Sequence, residues 1–395
     1  MTPSVLIVGA GIGGLGLAQA LSRAGVRVQV IEKVTSLRPV GAGLILSGNA
    51  LRVMQRLGLF EAVMQVGQPL VSACLTDAAG RNLQSMSYEA SGGAVALHRA
   101  ELQAVLAQGL PEQVRFATTL QALRQTPEGV DVTLSDGSEH QFGAVVGADG
   151  LHSAVRHLVF GDVPKQYAGY TSWRFVLSTP GPQHALEMWG RGRRLGLVPL
   201  SGGQTYGYVT ANVPEGQADD PAGRPAEVRA HCSDFGGCAP EYLALLKEDT
   251  PVIRTDIHEV QLPRWAHGRV ALLGDAAHAM TPNLGQGAAM SLEDAWVLGR
   301  HLKAASNVPE ALARFEDLRR RRVNRVQTAS RFLGRVGQLE AGALRTLRDI
   351  GMRLAPLALA RRSASGLFQA DLESLGSHHR QPGPAGGLRG KPDIW

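Results

Sequence analysis

The residues that most constrain this chain stand at its start, where Ser4-Val5-Leu6-Ile7-Val8 runs straight into Gly9-Ala10-Gly11-Ile12-Gly13-Gly14-Leu15. Val5 to Val8 is apolar and shows no alternation, the pattern of a strand covered on both faces in a parallel sheet. Gly9, Gly11 and Gly14 are spaced G-x-G-x-x-G: the first permits a tight turn, the second lets backbone approach a pyrophosphate, and the third lets the helix close on the strand. A helix opening there presents unpaired N–H groups and its positive dipole end to an anion. The spacing predicts a helix over 13–23, closing at Gly25, and a second apolar strand over 26–31 that ends on Glu32, 18 residues after Gly14 (32 − 14). A carboxylate there accepts from ribose hydroxyls and repels a 2′-phosphate, which favours FAD or NAD over NADP at this site.

A chain of 395 residues with 44% hydrophobic content can bury a large core, and its length suggests two domains or one with a substantial insertion. The net charge of +6 raises the question of an acidic partner. Much of the excess is local, in the run Arg319 to Arg322, in Arg361-Arg362 and from Arg380 to Lys391. No aromatics interleave with the first run, so it is expected to be a solvated helix face, and no nucleic-acid partner is expected. Cys74, Cys232 and Cys238 form no metal-binding spacing, so no metal is expected, and an odd cysteine count fits a reducing compartment. A strand at residue 4 leaves no room for a signal peptide and no apolar stretch is long enough to span a bilayer, so a soluble cytoplasmic protein is expected.

Two further strand ends carry carboxylates. Gly143-Ala144-Val145-Val146-Gly147 leads into Ala148-Asp149-Gly150-Leu151-His152-Ser153-Ala154-Val155-Arg156, and Val270-Ala271-Leu272-Leu273-Gly274 leads into Asp275-Ala276-Ala277-His278. Open α/β sheets bind ligands at the carboxyl edge, where these residues lie. Pro282 and Gly285 to Ala288 precede a helix running to about Leu302, whose amides can face a negatively polarised group. His278 has no paired nucleophile in the sequence and is expected to be structural. Arg99 opens an amphipathic helix, against the dipole preference unless an anion lies nearby.

Residues 166–264 differ in texture. Segments 169–176, 185–189, 194–200 and 206–210 read as antiparallel strands, with Trp173, Trp189 and Tyr206 as candidates for stacking on a flat ligand. A hairpin turn is expected at Asp77 to Gly80. Leu312, Phe315, Leu318 and Val323 predict one face of a helix over 309–334, and 339–368 reads as one or two more helices interrupted near Pro356.

Three motifs in order, G-x-G-x-x-G with Glu32, Gly147-Ala148-Asp149-Gly150, and Gly274-Asp275-Ala276-Ala277-His278 followed by Pro282 and Gly285-x-Gly287, resemble the single-component FAD-dependent aromatic monooxygenases typified by para-hydroxybenzoate and salicylate hydroxylases. The resemblance runs from residue 3 to about 302. It implies an α/β fold: a Rossmann-like FAD-binding domain from residues 1–70, 96–165 and 265–305, and an inserted, mainly antiparallel substrate-binding sheet from 71–95 and 166–264. C-terminal helices would occupy 306–372 and a flexible tail 373–395. It implies that Gly9, Gly11, Gly14, Glu32 and Lys33 hold the ADP half of FAD, that Arg99 contacts its phosphates or ribityl chain, and that Asp149 serves both FAD and a transient NAD(P)H. Asp275 would hold the ribityl hydroxyls, and Pro282, Gly285, Gly287 and Ala288 would line the flavin ring, with Gly43 beside it. The implied activity is NAD(P)H- and O2-dependent hydroxylation of a small aromatic or heteroaromatic substrate through a flavin C4a-hydroperoxide, by a monomer or homodimer. No catalytic base is named by the sequence; Trp173, Arg174, Trp189 and Tyr206 are substrate-side candidates by region, with Tyr208 and His184. A reductase or oxidase of the same fold, or a non-catalytic flavin sensor, is the alternative.

Overall fold

The computed structural model describes residues 4–37 and 42–354. Val5–Val8 is the centre of a six-stranded sheet, flanked in parallel by Ala144–Gly147 and Val28–Ile31. Val270–Leu272 extends it on one side, with the short antiparallel pair Ala266–His267 beyond, and Val114–Arg115 ends the other. Val5, Leu6 and Ile7 are wholly buried, as an unalternating run covered on both faces requires. The opening helix Ile12–Arg23 lies against the helix Gly287–Lys303 at a spacing only small residues permit. A Cβ added at Gly299 would stand 2.8 Å from that of Ala20.

The second layer is a seven-stranded sheet in the order Ile253–Glu259, Gln166–Leu177, Gln204–Ala211, Arg193–Leu200, Ala185–Trp189, Ser72–Asp77, Asn82–Ser87. All its pairs are antiparallel except that between Ala185–Trp189 and Ser72–Asp77. Side chains alternate across it. Its outer face carries Trp173, Phe175, Leu195 and Val209, packed with Val228 and Leu243 of the helices Arg224–His231 and Ala239–Ala244. Its inner face carries Val176, Val198, Leu200, Tyr206 and Tyr208, and meets a small sheet of Gly43–Ser47, Ala94–His98 and Gln68–Leu70. The strand Ala94–His98 therefore crosses the expected boundary at 95/96 and pairs with Gly43–Ser47. A further three-stranded antiparallel sheet is formed by Leu120–Gln125, Val130–Leu134 and Glu139–Phe142.

The helix Val308–Gly337 runs 30 residues from its N-cap Asn307, whose side chain accepts from the Glu310 amide. Gly342–Leu354 follows as the last described helix. The expected helical continuation from Ala355 to Phe368, the tail over 373–395 and the first glycine of the Gly41-Ala42-Gly43 loop lie outside the described residues.

Candidate active site

The opening turn closes on backbone. Gly9 has φ +105° and a Cβ there would meet the Ala148 carbonyl oxygen at 2.6 Å, while one on Gly14 would collide with the Gly9 carbonyl. Gly11 differs: nothing lies within 4 Å of its added Cβ. Beside that open space lie the first-turn N–H groups of the helix Ile12–Arg23, which have no acceptor within their own helix. Glu32 accepts from the Ala10 amide at 2.8 Å and the Val34 amide at 3.1 Å, so its carboxylate holds the turn it follows. Lys33, next to it, is exposed.

Asp149 lies at the next strand end, but its carboxylate is occupied. It accepts from Ser153 Oγ at 2.5 Å and from the amides of Ala154 and Val155 at 2.7 and 3.1 Å, closing the N-terminus of the helix Ala154–Phe160. Burial raises its pKa against the pull of those bonds. The sequence reading missed Arg156, three residues after Ser153. Its guanidinium donates to the carbonyls of Leu151 at 2.7 Å and Ala276 at 2.9 Å, tying the second motif to the third. Asp275 is exposed among buried neighbours at the head of the short helix Asp275–His278. The turn Pro282–Leu284 and Gly285, at φ +62°, then lead into the helix from Gly287. An added Cβ at Gly285 or Gly287 would meet nothing within 4 Å.

Behind this turn is a buried ionic block. Asp294 accepts from Arg319 Nε at 2.7 Å, His278 Nε2 at 2.6 Å and the Gly274 amide at 3.1 Å. Glu293 receives Arg319 and Arg322 at 2.6 and 2.7 Å and Asn49 at 2.8 Å, and Asn49 also donates to Gln286 at 2.9 Å. Burial would raise the Asp294 carboxyl, but His278 and Arg319 outweigh it and hold the pKa down at about 2. The arginine run is therefore not a wholly solvated face: Arg319 is fully buried in the third motif's support. His278 is bonded to Asp294 inside this block.

The inner face of the broad sheet supplies the other wall. Tyr206 stands against Gly43, where an added Cβ would be 2.6 Å from its ring, and beside Arg174, whose charge in turn feels Arg99. Burial pushes the Tyr206 phenol up to about 12 and Tyr208 well above its ordinary value, so both stay protonated at neutral pH and are donors rather than bases. Toward the Pro282 turn, Trp189 Nε1 donates to Glu187 at 3.0 Å. Arg194 bridges Glu187 at 3.2 Å, Asn283 at 2.6 Å and Gln338 at 3.0 Å, and stacks 5.4 Å over the Tyr170 ring. The structure thus brings Gly43, Arg99, Arg174 and Tyr206 together, and separately Trp189 with Glu187, Arg194 and Asn283. Trp173 is on the opposite face, fully buried and bonded to Glu227 at 2.9 Å, because odd-numbered residues of its strand point outward. His184 is engaged with Ser72 at 2.8 Å and, by the same alternation, lies off the inner face.

A family profile described as "FAD binding domain" matches residues 2–330. This chain belongs to the FAD-dependent monooxygenases. Among its relatives, the aurachin C monooxygenase/isomerase of Stigmatella aurantiaca is 38% identical over 89% of this chain and 94% of its own. The 2-heptyl-3-hydroxy-4(1H)-quinolone synthase of Pseudomonas aeruginosa is 37% identical over 92% and 97%. The solved structure of Klebsiella pneumoniae HpxO with FAD and uric acid superposes with a TM-score of 0.86 at 28% identity, covering 92% of this chain and 96% of that one. The cofactor of the monooxygenase is FAD, and the residues present fit it. The open spaces at Gly11 and at Gly285 and Gly287 each adjoin a helix N-terminus, whose unpaired N–H groups can face a diphosphate or the polar edge of a flat ring. No group of histidine, cysteine or carboxylate side chains suited to a metal ion occurs among the described residues.

Proposed function

We propose that this monooxygenase hydroxylates a nitrogen heteroaromatic of the 4-quinolone type bearing an apolar side chain, with NAD(P)H as donor and O2 as co-substrate. The observation that carries the proposal is the inner face of the broad sheet: aliphatic and tyrosine side chains cover much of it beside Arg174, and a polar corner, Glu187, Arg194 and Asn283, adjoins the Pro282 turn. Two relatives covering about nine-tenths of this chain are named for aurachin and heptylquinolone chemistry, which supports the same class. Glu187 offers an acceptor and the Tyr206 and Tyr208 hydroxyls offer donors, a set suited to a ring N–H and carbonyl. In this reading Gly9, Gly11, Gly14, Glu32 and Lys33 hold the ADP half of FAD. Arg99 contacts the phosphates, Asp149 shapes the second strand end through its helix cap, and Asp275 takes the ribityl hydroxyls. Pro282, Gly285, Gly287 and Ala288 line the ring.

Bound FAD supplies hydride acceptance and oxygen activation. The protein's own part is to orient the substrate at Glu187 and Arg194 and to keep water from the reacting edge with the apolar wall. We read the enzyme as cytoplasmic and as a monomer or homodimer; the three free thiols agree with a reducing compartment.

The test is NAD(P)H oxidation by the purified flavoprotein against 2-alkyl-4-quinolones, urate, aminohydroxybenzoates and salicylate, with products weighed. A quinolone should both accelerate oxidation and gain one oxygen atom. Turnover of urate or a benzoate with the quinolones inert would refute the substrate class.

A further inference from the structure

The helix Gly342–Leu354 turns its polar side to the protein and its apolar side to solvent. Arg348 is buried with its guanidinium 5.0 Å over the Trp189 ring, and Arg353 bridges to Asp77 at 3.1 Å. On a helical projection Leu347 and Leu354 lie at the centre of the opposite stripe, flanked by Leu344 and Ile350. These four are 68, 76, 52 and 46% exposed. A surface helix ordinarily buries such a stripe and shows its charges. Residues 331–362 contain seven arginines against two acids, Glu340 and Asp349; Arg331 pairs with Glu259 and Arg348 and Arg353 face the protein, which leaves Arg335, Arg345, Arg361 and Arg362 of the sequence to make the segment basic.

We infer that this helix docks on an anionic phospholipid surface, its leucine stripe in the acyl boundary and the neighbouring arginines among the headgroups. An apolar stripe within a basic segment has the chemistry of an interfacial helix, and no helix among the described residues is long and apolar enough to cross a membrane, so the attachment is peripheral. A second copy of the chain is the weaker occupant, because four aliphatic side chains supply much less than the roughly 800 Å² per partner of a stable interface. The helix rests on Trp189 and Asp77, which share the inner face with Glu187 and Tyr208. Docking would therefore bring the substrate wall to the lipid in which an alkylated ring dissolves. That consequence rests on the proposed substrate class; the docking itself does not.

The experiment is co-sedimentation of the full-length, FAD-loaded protein with phosphatidylcholine vesicles, with and without phosphatidylglycerol, for the natural chain and for Leu347→Glu/Leu354→Glu. The natural chain should partition onto the phosphatidylglycerol vesicles, and the double variant should bind about tenfold less or weaker still while keeping its flavin content. No binding to those vesicles, or equal binding by both proteins, overturns the inference. In the first case a changed oligomeric state in the variant would assign the stripe to a second copy, and a lowered Tm without that change would assign it to residues 355–395. Vesicle binding needs no substrate, so its failure is separable from failure of the hydroxylation test.

Discussion

Gly11, the proposed cofactor contact, and Gly14, a packing glycine, differ in what a side chain would meet. At Gly14 a side chain would strike the Gly9 carbonyl, so Gly14→Ala should disturb the fold and FAD binding together. At Gly11 the backbone has φ −75°, open to any residue, and the added atom meets no protein. Gly11→Val should therefore leave the thermal midpoint of the FAD-free protein nearly unchanged and lower FAD affinity by about a hundredfold or more, since the backbone can no longer approach the diphosphate. Fluorescence titration of flavin with a parallel melting curve checks both halves. Glu187→Gln keeps the side-chain shape and removes the charge that Arg194 and Trp189 face. We expect it to raise the KM for the aromatic substrate about tenfold with flavin content unchanged, which steady-state kinetics on the holoenzyme would show. The glycines were legible because a turn and a close approach impose them directly on the sequence. Glu187 was not, because a carboxylate in a strand shows neither its face nor the partner 7 residues on that holds it.

Among the elements, the helix Val308–Gly337 shows why a charge run misled. Leu312, Phe315, Arg319, Val323 and Val326 recur at intervals of three and four, so Arg319 lies within the buried stripe. That periodicity was visible, but the adjacent arginines outweighed it, and the buried acids that repay the desolvation belong to another helix. Removing Arg319 leaves Glu293 and Asp294 buried without it, so Arg319→Met should cost about 3–5 kcal/mol of stability, measured by urea unfolding. The same block sets an acid limit. Asp294 is held at about 2, below its ordinary 3.8, so it binds fewer protons folded than unfolded. Its contribution is complete above about pH 4 and is lost as the pH falls from there toward 2. Urea unfolding at about pH 5 and about pH 3 should show this loss, and Arg319→Met should show less of it because the carboxyl is then less depressed. Trp173 presents the converse case. Both faces of its strand are covered, so alternation gives two apolar sets with nothing to say which faces the site.

For the whole molecule, the order of three strand-end motifs announced a sheet with its ligand along the carboxyl edge, and the observed sheet places Val5–Val8 between the other two motif strands' side and Val28–Ile31. What the sequence could not show was how the layers meet. Arg156 joins the second motif to the third, and Arg194 joins the broad sheet to the Pro282 turn and to Gln338 after the long helix. Such links depend on residues brought together across as many as 144 positions, which no local spacing records. They also join the Pro282 turn and the inner face of the broad sheet into one unit. The direct test is turnover under oxygen-18 gas with the alkylquinolone that best stimulates NAD(P)H oxidation. We expect the product to carry one labelled oxygen atom for each nicotinamide consumed in coupled turnover; unlabelled product, or nicotinamide consumed with the quinolone recovered unchanged, would contradict a monooxygenase acting on that substrate.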